Sequence, residues 1–336
     1  MTGISCNSLG RVIEISLPSA GLQGKLDNLS FLSFPDLIHL NLSGNTLTGT
    51  IPAHIGTLYK LMSLDLYANS ISGSIPLDIG NLVNLNELDL SKNYLDSSIP
   101  STLGNLTKLS ILYLHQNRIS GSIPPQMGNL QDLVTLTVYQ NNLTGPIPPA
   151  LGNLMNLNKL DLSNNILKGS IPSTLGNLTK LTLLYLFENQ ISGSIPPELG
   201  NLTSLNELAL NQNNLIGPIP PALGNLVNLD NLDLTNNSLA GSIPSSLGNL
   251  TKLTTLYLSY NQISDVSKAF GVYPHLTYVD VSDNMLFGEL SPNWGECQNL
   301  TELQFYGNMI TGRIPPEIGQ LTQLGVLGLS SKQLTG

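Results

Sequence analysis

An asparagine that recurs every 24 residues is the feature that most constrains how this chain can fold. The series comprises positions 45, 69, 93, 117, 141, 165, 189, 213, 237 and 261, and after one 23-residue step it continues at 284 and 308. Around each asparagine one frame returns, written Leu37-x-x-Leu40-x-Leu42-x-x-Asn45-x-Leu47-x-Gly49-x-Ile51-Pro52 in an early copy. The frame also fits residues 12–17 and 324–329, which gives fourteen turns. A fixed period of this length indicates stacked repeats rather than separate globular domains.

Each part of the frame has a physical role. The leucines of Leu40-x-Leu42 alternate with period two, so both point inward from a short strand while the residues beside them face outward. The asparagine follows where the chain turns, and its amide can donate and accept hydrogen bonds to backbone groups that the turn leaves unpaired. Glycine and proline then permit the bend that ends the turn. Because no turn can bury its leucines alone, we predict a repeat solenoid of the α/β class.

Charge and cysteine content exclude several kinds of partner. The net charge is −9, whereas binding to a phosphate backbone needs a basic stripe. Cys6 and Cys297 lie near opposite ends of a linear array, and a disulfide needs Cα atoms within about 7 Å, so they are not expected to pair. No apolar run reaches the roughly 18 residues of a membrane span, and the first residues lack the pattern of a signal peptide. We expect no nucleic-acid partner and no membrane contact by this chain itself.

The frame Leu-x-Gly-x-Ile-Pro-x-x-Leu-Gly-Asn-Leu, as it stands at 167–178, resembles the plant-specific class of leucine-rich repeats. The resemblance covers almost the whole chain. It implies a curved superhelix with a parallel β-sheet on the concave face and short 3-10 or irregular segments on the convex face. The class includes the ectodomains of receptor-like kinases and the smaller polygalacturonase-inhibiting proteins.

Two stretches narrow the resemblance. Residues 2–26 resemble the second half of the N-terminal cap of receptor-kinase ectodomains, without the cap's upstream cysteine that would pair with Cys6. Phe270-Gly271-Val272-Tyr273-Pro274 and Asn293-Trp294-Gly295-Glu296-Cys297 resemble the irregular late repeats of the MDIS-interacting receptor kinase group. We expect a partial cap and first turn at 1–26, and at 27–336 a repeat array without a C-terminal cap. In the last repeat of this array, Lys332 occupies the asparagine position. The chain is interpreted as an ectodomain fragment or a truncated gene product.

The outward positions of the predicted strands carry most of the acidic character. They hold eleven of the 22 acidic residues but only Lys92 and Lys159 of the 13 basic ones, so the whole net charge of −9 falls on the concave face. Such a surface would attract a neutral to basic ligand. The alternative is that aspartate in Leu-Asp-Leu is simply common in repeats of this kind.

The same outward positions hold eight of the eleven tyrosines, which suits a binding surface because a rigid ring gives a large contact area. The alternative is that β-propensity alone enriches tyrosine in strands. The predicted ligand-binding residues are Tyr113, His115, Tyr139, Asp161, Tyr185, Phe187, Asn211, Asp233 and Tyr257. Tyr185 and Phe187 are the predicted centre, with Asp161 and Asp233 as flanking charges. Tyr278 and Tyr306 are predicted to contact a co-receptor.

Catalytic chemistry finds no support in the sequence. The four histidines are scattered, the two cysteines are remote, and no grouping suggests a nucleophile or a metal site, so we predict no enzyme activity, no cofactor and no bound metal. Asn-x-Ser/Thr acceptor sites for glycosylation indicate a secretory history. They occur at Asn28, Asn41, Asn105, Asn142, Asn177, Asn201, Asn236, Asn249 and Asn299.

These observations favour an extracellular binding module. The leading hypothesis is the ligand-sensing ectodomain fragment of a plant receptor-like kinase, whose full-length parent would sit in the plasma membrane with the repeats outside the cell. Its partners would be a secreted peptide or protein and a co-receptor ectodomain. The first alternative is a secreted defence protein similar to polygalacturonase inhibitors, although those carry cysteine-bonded caps at both ends. The second is an ice-binding repeat protein, which would need a flat threonine or asparagine lattice.

Overall fold

The computed structural model describes residues 3–265, 273–329 and 334, which fall into two compact units, Met1–Leu167 and Lys168–Gly336. Residues 270–272 of the predicted late repeat, and Lys332 in the last asparagine position, lie outside the described residues. In both units, successive turns each contribute one strand to a main sheet, and most contribute one 3-10 helix.

The first unit contains eight described main-sheet strands. They are Ile4–Cys6, Val12–Ser16, His39–Asn41, Ser63–Asp65, Glu87–Asp89, Ile111–Tyr113, Thr135–Thr137 and Lys159–Asp161. From Val12–Ser16 onward they pair in parallel, and equivalent leucines stand opposite one another, as Leu88, Leu112 and Leu136 do. Ile4–Cys6 is antiparallel to Val12–Ser16. The sequence analysis did not predict this strand, because it lies outside the repeat.

The second unit contains seven described main-sheet strands. They are Leu183–Tyr185, Glu207–Ala209, Asn231–Asp233, Thr255–Tyr257, Tyr278–Asp280, Glu302–Gln304 and Val326–Gly328. Adjacent strands for which pairing is described are parallel, and Leu208, Leu232 and Leu256 again stand opposite one another. The two units together therefore contain the fourteen predicted repeat strands within the described residues.

Short strands of a second set follow the asparagine positions. In chain order they are Gln23–Lys25, Thr46–Thr48, Ser72–Gly73, Tyr94–Leu95, Ser120–Ser122, Asn142–Gly145, Ile166–Gly169, Gln190–Gly193, Asn214–Gly217, Ser238–Ser242, Gln262–Asp265, Phe287–Glu289 and Met309–Thr311. The boundary between the units falls inside Ile166–Gly169. These short strands add a second set to the predicted main sheet.

The remaining regular elements are 3-10 helices, and the described residues contain no α-helix. The helices are Leu26–Asn28, Phe31–Ser33, Ala53–Thr57, Leu77–Asn81, Ser101–Asn105, Pro125–Asn129, Pro149–Asn153, Ser173–Asn177, Pro197–Asn201, Pro221–Asn225, Ser245–Asn249, Pro292–Glu296 and Pro316–Gln320. Most follow the proline of Ile-Pro, whose fixed φ suits the first helical position or the residue before it. The predicted parallel sheet and 3-10 segments are thus confirmed.

The core of each unit is built from the leucines of the frame. Leu157, Leu160 and Leu162 are fully buried in the first unit, and Leu229 and Leu232 are equally buried in the second. Each such side chain contributes about 1.5–3 kcal/mol of burial free energy. The leucines that the frame predicts to be buried therefore form the core of each unit.

The asparagine ladder satisfies the backbone where each turn leaves the main sheet. Asn165 Nδ2 lies 3.1 Å from the carbonyl oxygen of Val138 in the preceding turn and 3.0 Å from that of Ser163 in its own turn. Its Oδ1 accepts the backbone N–H of Leu143 at 3.0 Å. Asn45, whose side chain is buried, bonds in the same way. The predicted role of the asparagine is confirmed.

The glycine of Leu-Gly-Asn allows consecutive 3-10 helices to approach closely. A Cβ at Gly128 would lie 2.3 Å from the carbonyl oxygen of Ala150, and one at Gly200 would lie 2.3 Å from that of Ala222. A contact this short is sterically forbidden, so only glycine fits. The proposed division into a cap at 1–26 and an array at 27–336 stays a prediction.

Candidate ligand-binding surface

The strand face of each unit consists of the outward side chains of the main-sheet strands and of the residues that follow them. In Lys159–Asp161, for example, Leu160 is in the core while the side chains beside it point outward. Ser163 follows after the next core leucine. The parallel register aligns equivalent positions of successive turns, so outward side chains form columns along each unit.

The aspartates of these columns close tight turns. Asp161 Oδ1 accepts the backbone N–H of Ser163 at 3.1 Å and its hydroxyl at 2.6 Å. Asp233 accepts the N–H of Thr235 at 2.9 Å, and Asp280 accepts that of Ser282 at 2.9 Å. This arrangement is an Asx turn, in which the side chain replaces a missing backbone acceptor.

The structure therefore corrects the expected exposure of Asp161. Its side chain is buried, with 6% of its surface accessible, and burial raises the pKa of its carboxyl group above the ordinary value. Burial also raises the pKa of Asp233, which is half-buried. Both were predicted as flanking charges of the ligand-binding centre. Their first role is structural, which favours the alternative explanation of the acidic columns.

Three aromatic side chains form a cluster on the strand face of the first unit. The ring of His115 stacks on Tyr139 with centroids 4.5 Å apart and planes 11° from parallel. Tyr113 meets His115 edge to face at 5.8 Å. His115 Nδ1 also lies 2.9 Å from the hydroxyl oxygen of Thr137. The structure thus brings together three of the predicted ligand-binding residues, and all three are half-buried.

The histidine of this cluster is held neutral. Burial is the largest cause that lowers the pKa of His115, and together with the positive charges of Lys159 and Lys92 it brings that pKa to about 4. At neutral or mildly acidic pH the cluster is therefore an uncharged aromatic surface with two lysines nearby.

A lysine–tyrosine pair next to this cluster was not among the predicted site residues. Lys92 Nζ donates to the hydroxyl of Tyr67 at 2.9 Å and lies 5.3 Å from the centre of its ring. The positions are 25 residues apart, one turn plus one residue. This 25-residue spacing is the signal that could have identified the pair. It is one residue longer than the repeat, so Lys92 lies diagonally across from Tyr67 of the preceding turn.

The predicted centre lies at the start of the second unit. Tyr185 and Phe187 meet edge to face with ring centroids 5.7 Å apart. The hydroxyl of Tyr185 donates to the carboxylate of Glu207, which the sequence analysis did not select. The ring of Tyr185 packs against Phe187 and its hydroxyl is hydrogen-bonded to Glu207, so the ring is fixed in place before any ligand binds. This fixed, half-exposed pair is suited to anchor a ligand.

Farther along the second unit, Tyr257 and Tyr278 pack with ring centroids 4.8 Å apart. Tyr257 was predicted to bind the ligand and Tyr278 to contact a co-receptor. Because the two rings are in contact, a partner that binds either ring meets a surface formed by both. Asn211 is half-buried, and its carbonyl accepts the side-chain amide of Asn213 at 3.2 Å. Tyr306 is half-buried two turns beyond Tyr257.

Eight of the nine predicted glycosylation asparagines are exposed. The exception is half-buried Asn41, whose Oδ1 accepts the N–H and hydroxyl of Ser43 at 3.0 and 2.7 Å, as Asp161 does for Ser163. Asn105, Asn177, Asn201 and Asn249 each end a 3-10 helix. Asn299 differs from these, since it lines a groove described below.

The described residues contain no group of three or more histidine, cysteine or acidic side chains placed to hold a metal ion. Among the same residues, no helix is long and apolar enough to cross a membrane. Cys6 is exposed and Cys297 is buried, and both are free thiols.

Comparison with protein families identifies the repeat. A family model described as a leucine-rich repeat region matches residues 22–144 and 139–306, and a second, described as a leucine-rich repeat, matches residues 299–321. A protein of Arabidopsis thaliana named as a probable leucine-rich repeat receptor-like protein kinase is 45% identical over 54 residues, which are 16% of this chain and 5% of that protein.

Solved structures with the same fold include PEPR1–AtPEP1 and a plant peptide hormone receptor. PEPR1–AtPEP1 superimposes with a TM-score of 0.78 at 32% identity, over 99% of this chain and 54% of that chain. The plant peptide hormone receptor RGFR1, in complex with RGF2, gives a TM-score of 0.68 at 33% identity, over 99% of this chain and 68% of that one. The chain thus spans about half of the PEPR1 chain.

Proposed function

The chain belongs to the leucine-rich repeat family, in the form found in plant receptor kinase ectodomains, and we propose that it binds a secreted peptide or protein outside the cell. Its strand face would make the contacts, without catalytic chemistry. The observation that carries this proposal is the set of half-exposed aromatic rings that each unit holds in place. In the second unit these are Tyr185 and Phe187, and in the first they are Tyr113, His115 and Tyr139.

The physical basis is that pre-positioned rings offer a large contact area at low entropic cost. Asn211 and Tyr257 lie on the same face of the second unit and would extend the contact. Tyr278 and Tyr306 are proposed to meet a second protein, such as a co-receptor ectodomain. The similarity to PEPR1–AtPEP1 and to RGFR1 with RGF2 supports a peptide as the ligand class.

The ligand is proposed to be neutral to basic. Eleven acidic residues against two basic ones occupy the outward positions of the strand face, and this excess supports the proposal even though several of the aspartates also close turns. An acidic surface speeds the approach of a cationic ligand, and this effect weakens as salt increases. The association rate constant should therefore fall with ionic strength, while the dissociation rate constant changes little.

The test starts from peptides recovered from plant extracellular fluid and captured on the immobilised chain. Captured peptides are identified by mass spectrometry, synthesised, and titrated against the chain by calorimetry. Replacing Tyr185 and Phe187 together with alanine should raise Kd by about 30-fold, the equivalent of about 2 kcal/mol for an anchoring contact. Thermal unfolding should change little, because neither side chain is in the core.

Two further double variants make the test specific. Tyr113→Ala with Tyr139→Ala examines the corresponding cluster of the first unit. Lys168→Ala with Lys180→Ala removes two exposed charges away from the strand face and serves as the control. The proposal fails if both aromatic double variants bind normally and the lysine double variant does not.

A further inference from the structure

A polar groove on the second unit lies beside the strand face, and none of its lining residues belongs to the proposed ligand site. It has a volume of about 890 Å³, which is within the range of sites that enclose small molecules. Its inner column consists of residues that immediately precede main-sheet strands, including Thr254, Thr277 and Thr301. Lys252, His275 and Asn299 belong to its outer column.

The threonines present hydrogen-bond acceptors to the groove. Thr254 Oγ1 donates to the carbonyl of Asp230 at 3.1 Å, Thr277 Oγ1 to that of Thr254 at 3.0 Å, and Thr301 Oγ1 to that of Thr277 at 2.8 Å. Each hydroxyl has thus already donated its only proton and retains lone pairs that can accept. The lining also contains asparagine and glutamine amides and Lys252, so it offers both acceptors and donors to a ligand.

The lining also disfavours a peptide or an ionic ligand. No phenylalanine, tyrosine, tryptophan or large aliphatic side chain lines the groove among the described residues, so a peptide would find none of the apolar anchors that carry protein affinity. Asp230 and Lys252 supply one charge of each sign. Sugars carry a hydroxyl on most ring carbons, and each hydroxyl can donate and accept, so they match a polar, nearly neutral surface with both acceptors and donors.

The chain carries its own attachment point for sugars within this groove. Asn299-Leu300-Thr301 is an acceptor sequence for N-glycosylation, and both Asn299 and Thr301 line the groove. Asn299 Nδ2 donates to the carbonyl of Pro274 at 2.6 Å. A glycosylated asparagine keeps one amide N–H, which is sufficient for this bond, so the modified side chain can stay tied to the groove wall.

We propose that an N-glycan on Asn299 lies in this groove and packs against the second unit. In the attachment step, Asn299 Nδ2 bonds to C1 of the first N-acetylglucosamine of a lipid-diphosphate-linked donor. The lipid diphosphate leaves with the bonding electron pair, and the amide loses one proton to the transferase. The proposal rests on the secretory history assumed in the proposed function, but it does not depend on which ligand binds the strand face.

Asn249 provides a matched control in the same unit. It heads an identical Asn-Leu-Thr tripeptide and is likewise exposed, but it ends the 3-10 helix Ser245–Asn249 and does not line the groove. A glycan there would extend into solvent. The two sites therefore differ in surroundings and not in acceptor sequence.

The experiment uses the secreted chain from plant cells that keep their glycans in the high-mannose form. Native protein is treated with an endoglycosidase that cleaves between the first two sugars, and glycopeptides for both sites are followed by mass spectrometry. Removal at Asn299 should be about tenfold slower than at Asn249, a factor that corresponds to about 1.4 kcal/mol of contact. After denaturation the two rates should converge.

A groove variant tests the cause of the protection. His275→Ala removes an exposed side chain from the column that holds Asn299, and it should accelerate cleavage at Asn299 alone. Equal native rates at the two sites would overturn the proposal, as would an unmodified Asn299 beside a modified Asn249. If no acceptor site of the chain is modified, the secretory assumption of the proposed function fails as well.

Discussion

At the scale of single residues, one position of the frame accounts for much of the acidic character of the strand face. The aspartate of Leu-Asp-Leu accepts a backbone N–H two residues later, as Asp89 does from Ser91 at 2.9 Å. In another turn, the uncharged side chain of Asn41 accepts the corresponding backbone N–H from Ser43. The turn therefore requires an acceptor oxygen, and the negative charge is present only because aspartate supplies that oxygen. Sequence alone could not separate these roles, because a Leu-Asp-Leu pattern does not show where the carboxylate points.

This difference leads to a prediction for Asp161. Asp161→Asn keeps the acceptor for Ser163, as Asn41 does for Ser43, so the free energy of unfolding should change by less than about 0.5 kcal/mol. Asp161→Ala leaves the buried Ser163 groups without their acceptor and should cost about 1–3 kcal/mol. Urea denaturation of the two variants measures both values. Equal losses would show that the turn needs the charge.

A second prediction at this scale concerns His115 and pH. Its pKa is about 4 in the folded chain and about 6.5 when unfolded, so between these values only the unfolded state gains the proton. Stability is complete above pH 6.5 and falls as the pH drops toward 4. Because the ring is only half-buried, we expect this contribution to be about 1–2 kcal/mol.

The matched variant for this measurement is His115→Gln, which cannot take up the proton. Unfolding free energies of both proteins are measured by denaturant titration from pH 7 to pH 4. Other titrating groups, such as the buried aspartates, affect both proteins alike and cancel in the difference. Parallel curves would contradict the assignment of a depressed pKa to His115.

At the scale of elements, the period predicts the strands and the ladder but not every contact between turns. The residues of the aromatic columns were identified because equivalent positions repeat every 24 residues. The partners Tyr185 and Glu207 are 22 residues apart, and Tyr67 and Lys92 are 25 apart, so their contacts cross the columns diagonally. Such contacts depend on side-chain length and direction, which the repeat does not encode. The strand Ile4–Cys6 was missed because it lies outside the repeat.

The glycine of Leu-Gly-Asn gives a prediction about how the 3-10 helices pack. Gly200→Ala places a Cβ 2.3 Å from the carbonyl oxygen of Ala222 and should destabilise the chain by about 1–3 kcal/mol through strain. Gly319 holds the equivalent position in a later helix, but no described atom lies within 4 Å of a Cβ there. Gly319→Ala should be neutral or stabilising by up to about 1 kcal/mol. Thermal unfolding of the two variants compares them directly, and equal destabilisation would mean that close approach is not the reason for glycine.

At the scale of the whole molecule, stability in a stack of repeats depends on how well each turn is covered by its neighbours. The core leucines inside the second unit, such as Leu208, are almost completely buried. In the last described strand, Leu327 is 37% exposed and Val326 is 46% exposed. In the first unit, Ile4–Cys6 covers the edge of Val12–Ser16, and Ser16 N–H bonds to the carbonyl of Gly3 at 2.7 Å. Coverage by neighbours therefore differs between the described turns although the frame is the same.

Hydrogen exchange should reveal this difference at backbone bonds of nearly identical geometry. Asn206 and Glu207 both donate to the carbonyl of Thr182, at 2.9 and 3.1 Å, and Gly325 and Val326 both donate to that of Thr301, at 2.8 and 3.2 Å. Because bond lengths match, local opening should be governed by the packing around each strand. We expect the Gly325 and Val326 amides to exchange at least about tenfold faster, equivalent to about 1.4 kcal/mol in opening free energy. Exchange measured by mass spectrometry on peptides covering the two strands provides the comparison. Equal protection would show that these turns open together, in which case stability would belong to the unit and not to the coverage of each turn.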